Sequence, residues 1–414
     1  MFKEFFNKIN KKKAKILIIG LGYVGYPLLS LIDSKKFKVS GLDLNKGRIK
    51  YLKKKNKKIN FYDNYTDINF REQNIIIIAL PTPIDSKKKP DLKSLTNCID
   101  TISKIIDTPT LIILESTTYP STTKEFIVKP FNKNFKIGNN FFIGYSPERE
   151  DPGNQYFGIK NIPKITSGYT NRCQRLTTLF YSKICKSVKV ASSIETAEMT
   201  KIFENIFRAI NIGLVNETKQ ISKKLNIDMD EIINLAKTKP FGFMPFYPGP
   251  GVGGHCIPVD PYYLSWLAKK KNISTKFIYL AGDINSNMPI KISKEIKNYF
   301  IQKKIKDPKI LMIGISYKKN IDDCRNSPAI IILKNLIKNN KNIFYHDKFV
   351  PKLKINRKIF VSRNLNKNLL KRMDAIILTT DHSYLSKKFI YSNSKLIFDT
   401  RNFFENYKNN IIKL

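Results

Sequence analysis

The sequence predicts an α/β protein with two Rossmann-like doubly wound domains joined by a central region of long helices. Short, almost wholly apolar runs alternate with helical stretches in the first half, the middle keeps only helical periodicity, and the runs return towards the C-terminus. Strands with no polar face belong in parallel sheets covered on both sides. A chain of 414 residues is too long for one ordinary core. The expected divisions are 13–194, 195–303 and 304–414.

KILIIGLG (15–22), KVSGLDL (38–44), NIIIIALPTP (74–83), TLIILES (110–116) and FFIGYSPE (141–148) read as the first domain's strands, each ending in a turn or polar cluster. Active residues in such sheets collect at the carboxyl ends of strands. Residues 195–225 carry apolar residues at helical spacing, interrupted only by Gly213, and read as one long helix or two continuous ones. Residues 261–303 read as helical too, with a break expected near Asn287-Met288-Pro289. KILMIGISY (309–317), NIFYHD (342–347), DAIILTTD (374–381) and KLIFDT (395–400) supply a second, smaller α/β domain. Lys309–Gly314 resembles Lys15–Gly20, but this second copy lacks the glycine-rich turn.

Composition excludes several classes. The formal charge of +41 comes mostly from lysines spread over the whole chain, as compositional bias would give, so no specific nucleic-acid surface is expected. The runs KKKAK (11–15) and KKKNKK (53–58) read as solvated faces. Five cysteines (Cys98, Cys173, Cys185, Cys256 and Cys324) lie far apart, and with three histidines they suggest neither a disulfide framework nor a metal site. No apolar run approaches the roughly twenty residues of a membrane helix. The N-terminal MFKEFFNKINKKKAK has no apolar segment of a signal peptide, so membrane insertion is not expected and a cytoplasmic location is.

GLGYVG places Gly20, Gly22 and Gly25 in GxGxxG spacing between a strand and a helical pattern. The glycines allow a tight turn, close approach to a pyrophosphate and close helix–strand packing, while the helix N-terminus supplies N–H groups. Asp43 ends the next strand, where a carboxylate accepts from a ribose 2′-OH, so NAD is expected over NADP; Arg48, which could serve a 2′-phosphate, argues the other way. Thr82 in PTP (81–83) and Ser116-Thr117-Thr118 fall where hydroxyls could line the nicotinamide end.

A second constellation centres on PGPGVGGHC (248–256). Four glycines leave room for a ligand against main chain ahead of Cys256, whose thiolate would be a nucleophile. Asp260 lies four residues on, Lys201 and Asn205 share a helix face, and Glu148 and Arg149 end the fifth of these strands. Together they could carry a nicotinamide-dependent oxidation beyond the aldehyde, in which a thiol holds the aldehyde between two hydride transfers.

The motifs GLGYVGYPL (20–28), PTP (81–83), ESTTYPSTT (115–123), SPEREDPG (146–153), KxxEN with RAxNIxLVNE (201–217), GPGVGGHCIPVDPYYL (249–264) and GISYKKNIDDCRNSP (314–328) resemble the UDP-glucose/GDP-mannose dehydrogenases in order and over nearly the whole chain. The resemblance implies a four-electron oxidation of a nucleotide sugar at C6 with two NAD and one water. It implies an NAD domain, a helical middle carrying substrate and homodimer contacts, and a C-terminal UDP-sugar domain. Carried over by motif, Cys256 is the nucleophile, with Lys201, Asn205 and Asp260 around the reacting carbon, Glu148 as acid/base and Thr117 positioning water. Cofactor contacts fall to Gly20, Gly22, Tyr23, Val24, Gly25, Asp43, Arg48, Pro81, Thr82, Thr118 and Arg325. Substrate contacts fall to Glu148, Arg149, Lys201, Asn205, Lys318 and the loop Phe241–Gly254, with Phe246, Tyr247, Gly249 and Gly253. PFGFMPFYPGPGVGGHC, YSPEREDPGN and Glu115 look like the UDP-N-acetylglucosamine branch, which serves surface polysaccharide synthesis. UDP-N-acetylgalactosamine, UDP-N-acetylmannosamine and UDP-glucose are alternatives with the same chemistry, and a nucleotide-sugar binder without turnover is a further one. Tyr26 departs from the family's usual Leu, and KKF (35–37) lacks a usual glycine.

Overall fold

Four apolar residues follow Lys15 without a polar face, and β1 (Lys15–Ile19) accordingly runs through the middle of a sheet. Its side chains alternate between two cores, Ile16 and Ile18 on one face and Leu17 and Ile19 on the other. The computed structural model describes residues 1–150, 158, 160–405, 407 and 409–414. They form two units, Met1–Glu204 and Asn205–Leu414.

In the first unit β1 is joined by β2 (Lys38–Leu42), β3 (Asn60–Tyr62), β4 (Ile75–Ile78), β5 (Leu111–Leu114), β6 (Phe142–Tyr145), β7 (Lys164–Gly168) and β8 (Val188–Val190). The order is β3-β2-β1-β4-β5-β6-β7-β8, parallel except between β6 and β7, where Gly144 pairs with Gly168. The chain leaves β1 towards β3 and returns to its other side at β4, so the carboxyl ends of β1 and β4 flank a topological switch point. β3, β7 and β8 escape the sequence reading because NFY, KITSG and VKV are short or largely polar. The basic N-terminus is also structured: in the helix Phe2–Asn10, Phe5 and Ile9 are buried, and Phe5 packs on Phe142 with ring centroids 5.5 Å apart.

The helix Ile194–Lys224 is continuous over 31 residues. The second unit contains its later turns, the helices Met229–Ala236, Asp260–Lys270 and Lys276–Gln302, and a parallel sheet. That sheet consists of β9 (Ile310–Ile313), β10 (Ile343–His346), β13 (Ala375–Leu378), β14 (Ile397–Asp399) and β15 (Ile411–Lys413), in the order β10-β9-β13-β14-β15. β11 (Lys352–Ile355) and β12 (Lys358–Val361) form a separate antiparallel ribbon. The break expected at Asn287-Met288-Pro289 does not occur, because Pro289 lies inside the helix Lys276–Gln302. A proline there cannot bond the Asn285 carbonyl and usually kinks or breaks a helix. Here Met288, Pro289 and Ile292 are buried, and Gly251 packs against both the Asn285 carbonyl and the proline ring. The interruption falls instead between Lys270 and Lys276, where Asn272 takes a φ of +58°.

Two substitutions test these packing assignments. Ile9→Ala should destabilise the first unit by about 2–5 kcal/mol, whereas Lys11→Ala should change it by less than about 0.5 kcal/mol; denaturant unfolding reads both. Gly251 has a φ of +120°, and a Cβ there would lie 2.8 Å from the Asn285 oxygen. Gly251→Ala should therefore cost about 1–3 kcal/mol, measured the same way.

Candidate active site

β1 ends in a turn at Gly20, whose φ is +92° and whose N–H donates to the Leu42 carbonyl (2.8 Å). A Cβ on Gly25 would strike the Gly20 carbonyl, so the third glycine lets the helix Gly25–Ser34 start against the turn. Gly22 has open space where its Cβ would stand, Tyr23 is exposed and Val24 caps the helix. Asp43 accepts the Leu21 N–H through Oδ2 and the Asn45 N–H through Oδ1, both at 2.9 Å. Arg48 donates through Nε to the Leu21 carbonyl (3.1 Å), and its guanidinium lies 5.4 Å from the Tyr26 ring and 5.9 Å from the Tyr51 ring. Arg48 thus braces the turn, and Tyr26 supplies a face for it. The open turn, helix N-terminus and strand-end carboxylate fit a dinucleotide.

Thr82 donates to the Thr117 carbonyl (2.8 Å) and Ser116 to the Leu80 carbonyl (2.7 Å), tying the loops after β4 and β5 together beside Pro81. Beneath them Glu198 is fully buried and accepts the N–H groups of Ser121 (2.7 Å) and Thr123 (2.9 Å), the Thr123 hydroxyl (2.7 Å) and, at 3.5 Å, that of Thr118. Burial pushes the Glu198 carboxyl up to about 7, although these donors pull the other way. The sequence signal for Glu198 was its helical spacing with Lys201 and Asn205, and all three are buried.

Glu148 follows β6. Its Oε1 accepts the N–H groups of Arg149 and Glu150, each at 2.8 Å, and its Oε2 takes the Lys164 ammonium at 2.8 Å. Lys164 also reaches Glu115 Oε2 at 2.8 Å, and Tyr181 donates to the other Glu115 oxygen. Burial raises Glu115 to about 6. Burial opposes the Lys164 charge, but the two carboxylates outweigh it and hold its pKa above the usual lysine value. Arg149 pairs with Glu204 (2.5 Å) and donates to the Pro163 carbonyl (2.9 Å). Asp151-Pro152-Gly153 of the SPEREDPG motif lie outside the described residues.

In the second unit Cys256 is exposed, in contrast to buried Cys98, Cys173 and Cys185 and partly buried Cys324. Its carbonyl accepts the N–H groups of Val259 (3.0 Å) and Asp260 (2.8 Å), placing the thiol at the start of the helix Asp260–Lys270. Asp260 is 1% exposed and accepts from Asn205 Nδ2 at 2.5 Å. Lys201 precedes Asn205 by one turn of the long helix and belongs to the first unit. The glycines of the Cys256 loop clear the chain's own atoms: a Cβ at Gly249 would meet Arg401, and at Gly253 or Gly254 would meet Tyr317. The loop is also bonded in place. Gly249 N–H donates to Asn216 Oδ1 (2.9 Å), Asn216 donates to Asn285 (3.1 Å), and Asn285 donates to the Ala209 carbonyl (2.8 Å). Gly254 N–H donates to the Arg325 carbonyl at 2.9 Å.

Burial, reinforced by nearby Arg325, lowers the His255 pKa, so its ring is neutral near pH 7. Arg325 pairs with Asp323 at 2.7 Å. Phe246 packs edge-on to Phe207, Tyr247 is exposed, and the Lys318 carbonyl accepts from Ser316 (2.9 Å). Two residues escaped the sequence reading. Arg401 donates to the Thr379 carbonyl (3.0 Å) beside Gly249, and its signal was the arginine after the last recognised strand in DTRN. Asp347 accepts the N–H groups of Ile315 (2.7 Å) and Ser316 (3.2 Å) and pairs with His382 (3.1 Å). Among the described residues no group of His, Cys, Asp and Glu is arranged to hold a metal, and no helix is long and apolar enough to cross a membrane.

Three family profiles match in sequence order. They describe the NAD binding domain (residues 14–185), the central domain (195–287) and the UDP binding domain (311–406) of the UDP-glucose/GDP-mannose dehydrogenase family. The chain is 35% identical over 397 residues to Protein CapL of Staphylococcus aureus, covering 91% of this chain and 92% of that protein. It is 34% identical over 358 residues to the UDP-N-acetyl-D-glucosamine 6-dehydrogenase of Pseudomonas aeruginosa, covering 82% and 84%. The solved UDP-D-ManNAc dehydrogenase of Pyrococcus horikoshii superposes with a TM-score of 0.85 at 29% identity, covering 96% of this chain and 98% of that one. With the dinucleotide turn and these matches, the chain belongs to the UDP-glucose/GDP-mannose dehydrogenase family and is an NAD-dependent UDP-sugar dehydrogenase.

Proposed function

We propose that the chain oxidises the C6 hydroxyl of UDP-N-acetyl-D-glucosamine to a carboxylate through a covalent adduct on Cys256. The observation that carries this reading is an exposed thiol at a helix start, followed within one turn by the buried Asp260–Asn205 pair. When bound, NAD supplies the hydride acceptor for each of two successive oxidations. Between them the Cys256 sulfur adds to the C6 aldehyde, forming a C–S bond and a thiohemiacetal. Loss of the second hydride gives a thioester; water then adds at C6, the C–S bond breaks, and the acid leaves with the thiol restored. Lys201 and Asn205 stabilise the alkoxide and oxyanion, Glu148 moves the protons, and Thr117 and Asp260 orient the water.

The P. aeruginosa relative supports the glucosamine epimer, whereas the P. horikoshii structure favours UDP-N-acetylmannosamine as the second reading. Residues 13–194, 195–303 and 304–414 would serve NAD, substrate with dimerisation, and UDP-sugar respectively. Phe207, Leu214 and Ile221 are exposed at heptad spacing on the long helix, which supports a homodimer. Widely spaced thiols without a disulfide framework favour a cytoplasmic enzyme, and its uronate product suits surface polysaccharide synthesis.

A panel of UDP-sugars with NAD tests the reading. UDP-N-acetylglucosamine should give two NADH per sugar consumed, and a ratio of one would remove the four-electron assignment. Cys256→Ser should lower acid formation by roughly 10³-fold or more, and unchanged uronate yield would remove the thioester. Asp43→Ala should raise the KM for NAD by about 10-fold or more with little change in kcat, as read from initial rates at saturating UDP-sugar.

A further inference from the structure

The chain leaves β9 towards β10 and returns on the other side at β13, so the carboxyl ends of β9 and β13 flank a topological switch point in the second sheet. In such crevices the main-chain N–H groups after the first strand commonly cradle a phosphate. Here several are taken internally. Asp347 accepts those of Ile315 and Ser316 through Oδ2, and the Asn320 N–H donates to His382 Nδ1 at 3.0 Å. This shifts ligand contact towards the side chains of the loop, half-buried Lys318 among them.

His382 follows β13 and is fully buried. Its Nδ1 faces an N–H donor, so the ring proton sits on Nε2, which donates to Asp347 Oδ2 (3.1 Å) with Ser316 Oγ at 3.5 Å. The imidazole thereby joins the loops after β9, β10 and β13. Phe349 and Tyr384 pack on it, with ring centroids 5.1 and 5.4 Å away. Asn320 is held a second time: its Nδ2 donates to Ser383 Oγ (2.7 Å) and its Oδ1 accepts the Ser383 N–H (3.0 Å). Its φ of +63° is one that asparagine tolerates. At the near end the Ser316 carbonyl accepts the Thr380 hydroxyl (2.7 Å), and the Ser316 hydroxyl donates to the Lys318 carbonyl (2.9 Å). Lys318 therefore rides on a span pinned at both ends to the residues after β13.

We infer that His382 is a positioning residue for the UDP-sugar: it holds this loop so that Lys318 is presented to the substrate. The inference rests on the substrate contact expected of Lys318. A lysine is a point charge on a flexible stem, so the attraction it realises depends on how well its backbone is held.

The test is the KM for UDP-N-acetylglucosamine at saturating NAD. His382→Gln places an amide N–H near the Nε2 position, keeps the Asp347 bond and gives up the acceptor for Asn320. Its KM should rise about 5- to 10-fold, with kcat changed by less than about twofold. His382→Asn places a carbonyl near the Nδ1 position and keeps the Asn320 bond, so its KM should stay within about twofold of wild type. Both variants lose ring packing, so a merely structural role moves the two KM values alike, and that result overturns the inference. Lys318→Ala should raise the KM by itself, and adding His382→Gln should raise it no further; additive effects overturn the inference. Where His382→Gln fails to fold, Asn320→Gly, which keeps the positive φ and loses both Ser383 bonds, replaces it in the same cycle, and an unchanged KM overturns the inference. Amide hydrogen exchange of residues 316–320 in the full chain needs no turnover. If Lys318→Ala leaves the KM unchanged, or no UDP-sugar is oxidised, the substrate contact fails and the inference with it. Faster exchange in His382→Gln than in His382→Asn then shows that the loop is held by His382, and equal exchange shows that the hold fails too.

Discussion

After the first strand of each main sheet the chain must turn, leaving N–H groups that no neighbouring strand can satisfy. A carboxylate at the end of the adjacent strand takes them in both units: Asp43 holds the Leu21 N–H, and Asp347 holds those of Ile315 and Ser316. This requirement places an acid at the carboxyl edge of each sheet, beside the crevice where ligands of such folds bind. In the first unit the acid also keeps the glycine turn in shape, so the side chain proposed for cofactor recognition serves turn stability as well. In the second unit Asp347 performs the main-chain task without a glycine-rich turn and adds a buried His382.

The same economy governs the thiol loop. From composition alone its glycines suggest empty space for a ligand, yet each packs against the chain's own Arg401, Asn285 or Tyr317. The buried amides of Asn216 and Asn285 then anchor the loop to the helices of its unit. A loop fixed in this way presents Cys256 from a bonded backbone, which the proposed attack on a defined carbon would require. The glycines let the loop sit this close to Arg401, Asn285 and Tyr317.

The local rules of the sequence were enough for much of the architecture. Apolar runs located the longer strands, the GxGxxG turn located the first crevice, and the spacing of Lys201 and Asn205 put them on one helix face. Residues whose position depends on tertiary context were not legible. Pro289 reads as a helix breaker because its cost is local, while the buried packing that retains it comes from distant residues. The N-terminal helix was hidden by its lysines, although Phe2, Phe5, Phe6 and Ile9 recur at helical spacing. β7 was hidden by polar residues that a sheet interior accepts once they are paired.

Lys164 shows why charge composition obscures chemistry in this chain. Among 74 lysines and arginines no single lysine stands out by position. Burial separates them: among the described residues Lys164 and Lys201 are the lysines classed as buried, at 3% and 7% exposure. Water stabilises an exposed ammonium at no structural cost, so its location carries little information. A buried one survives only where partners were built for it, as the two carboxylates around Lys164 show. The surface charge therefore reflects composition, and the rare charges removed from water are where this protein has arranged its acids and bases.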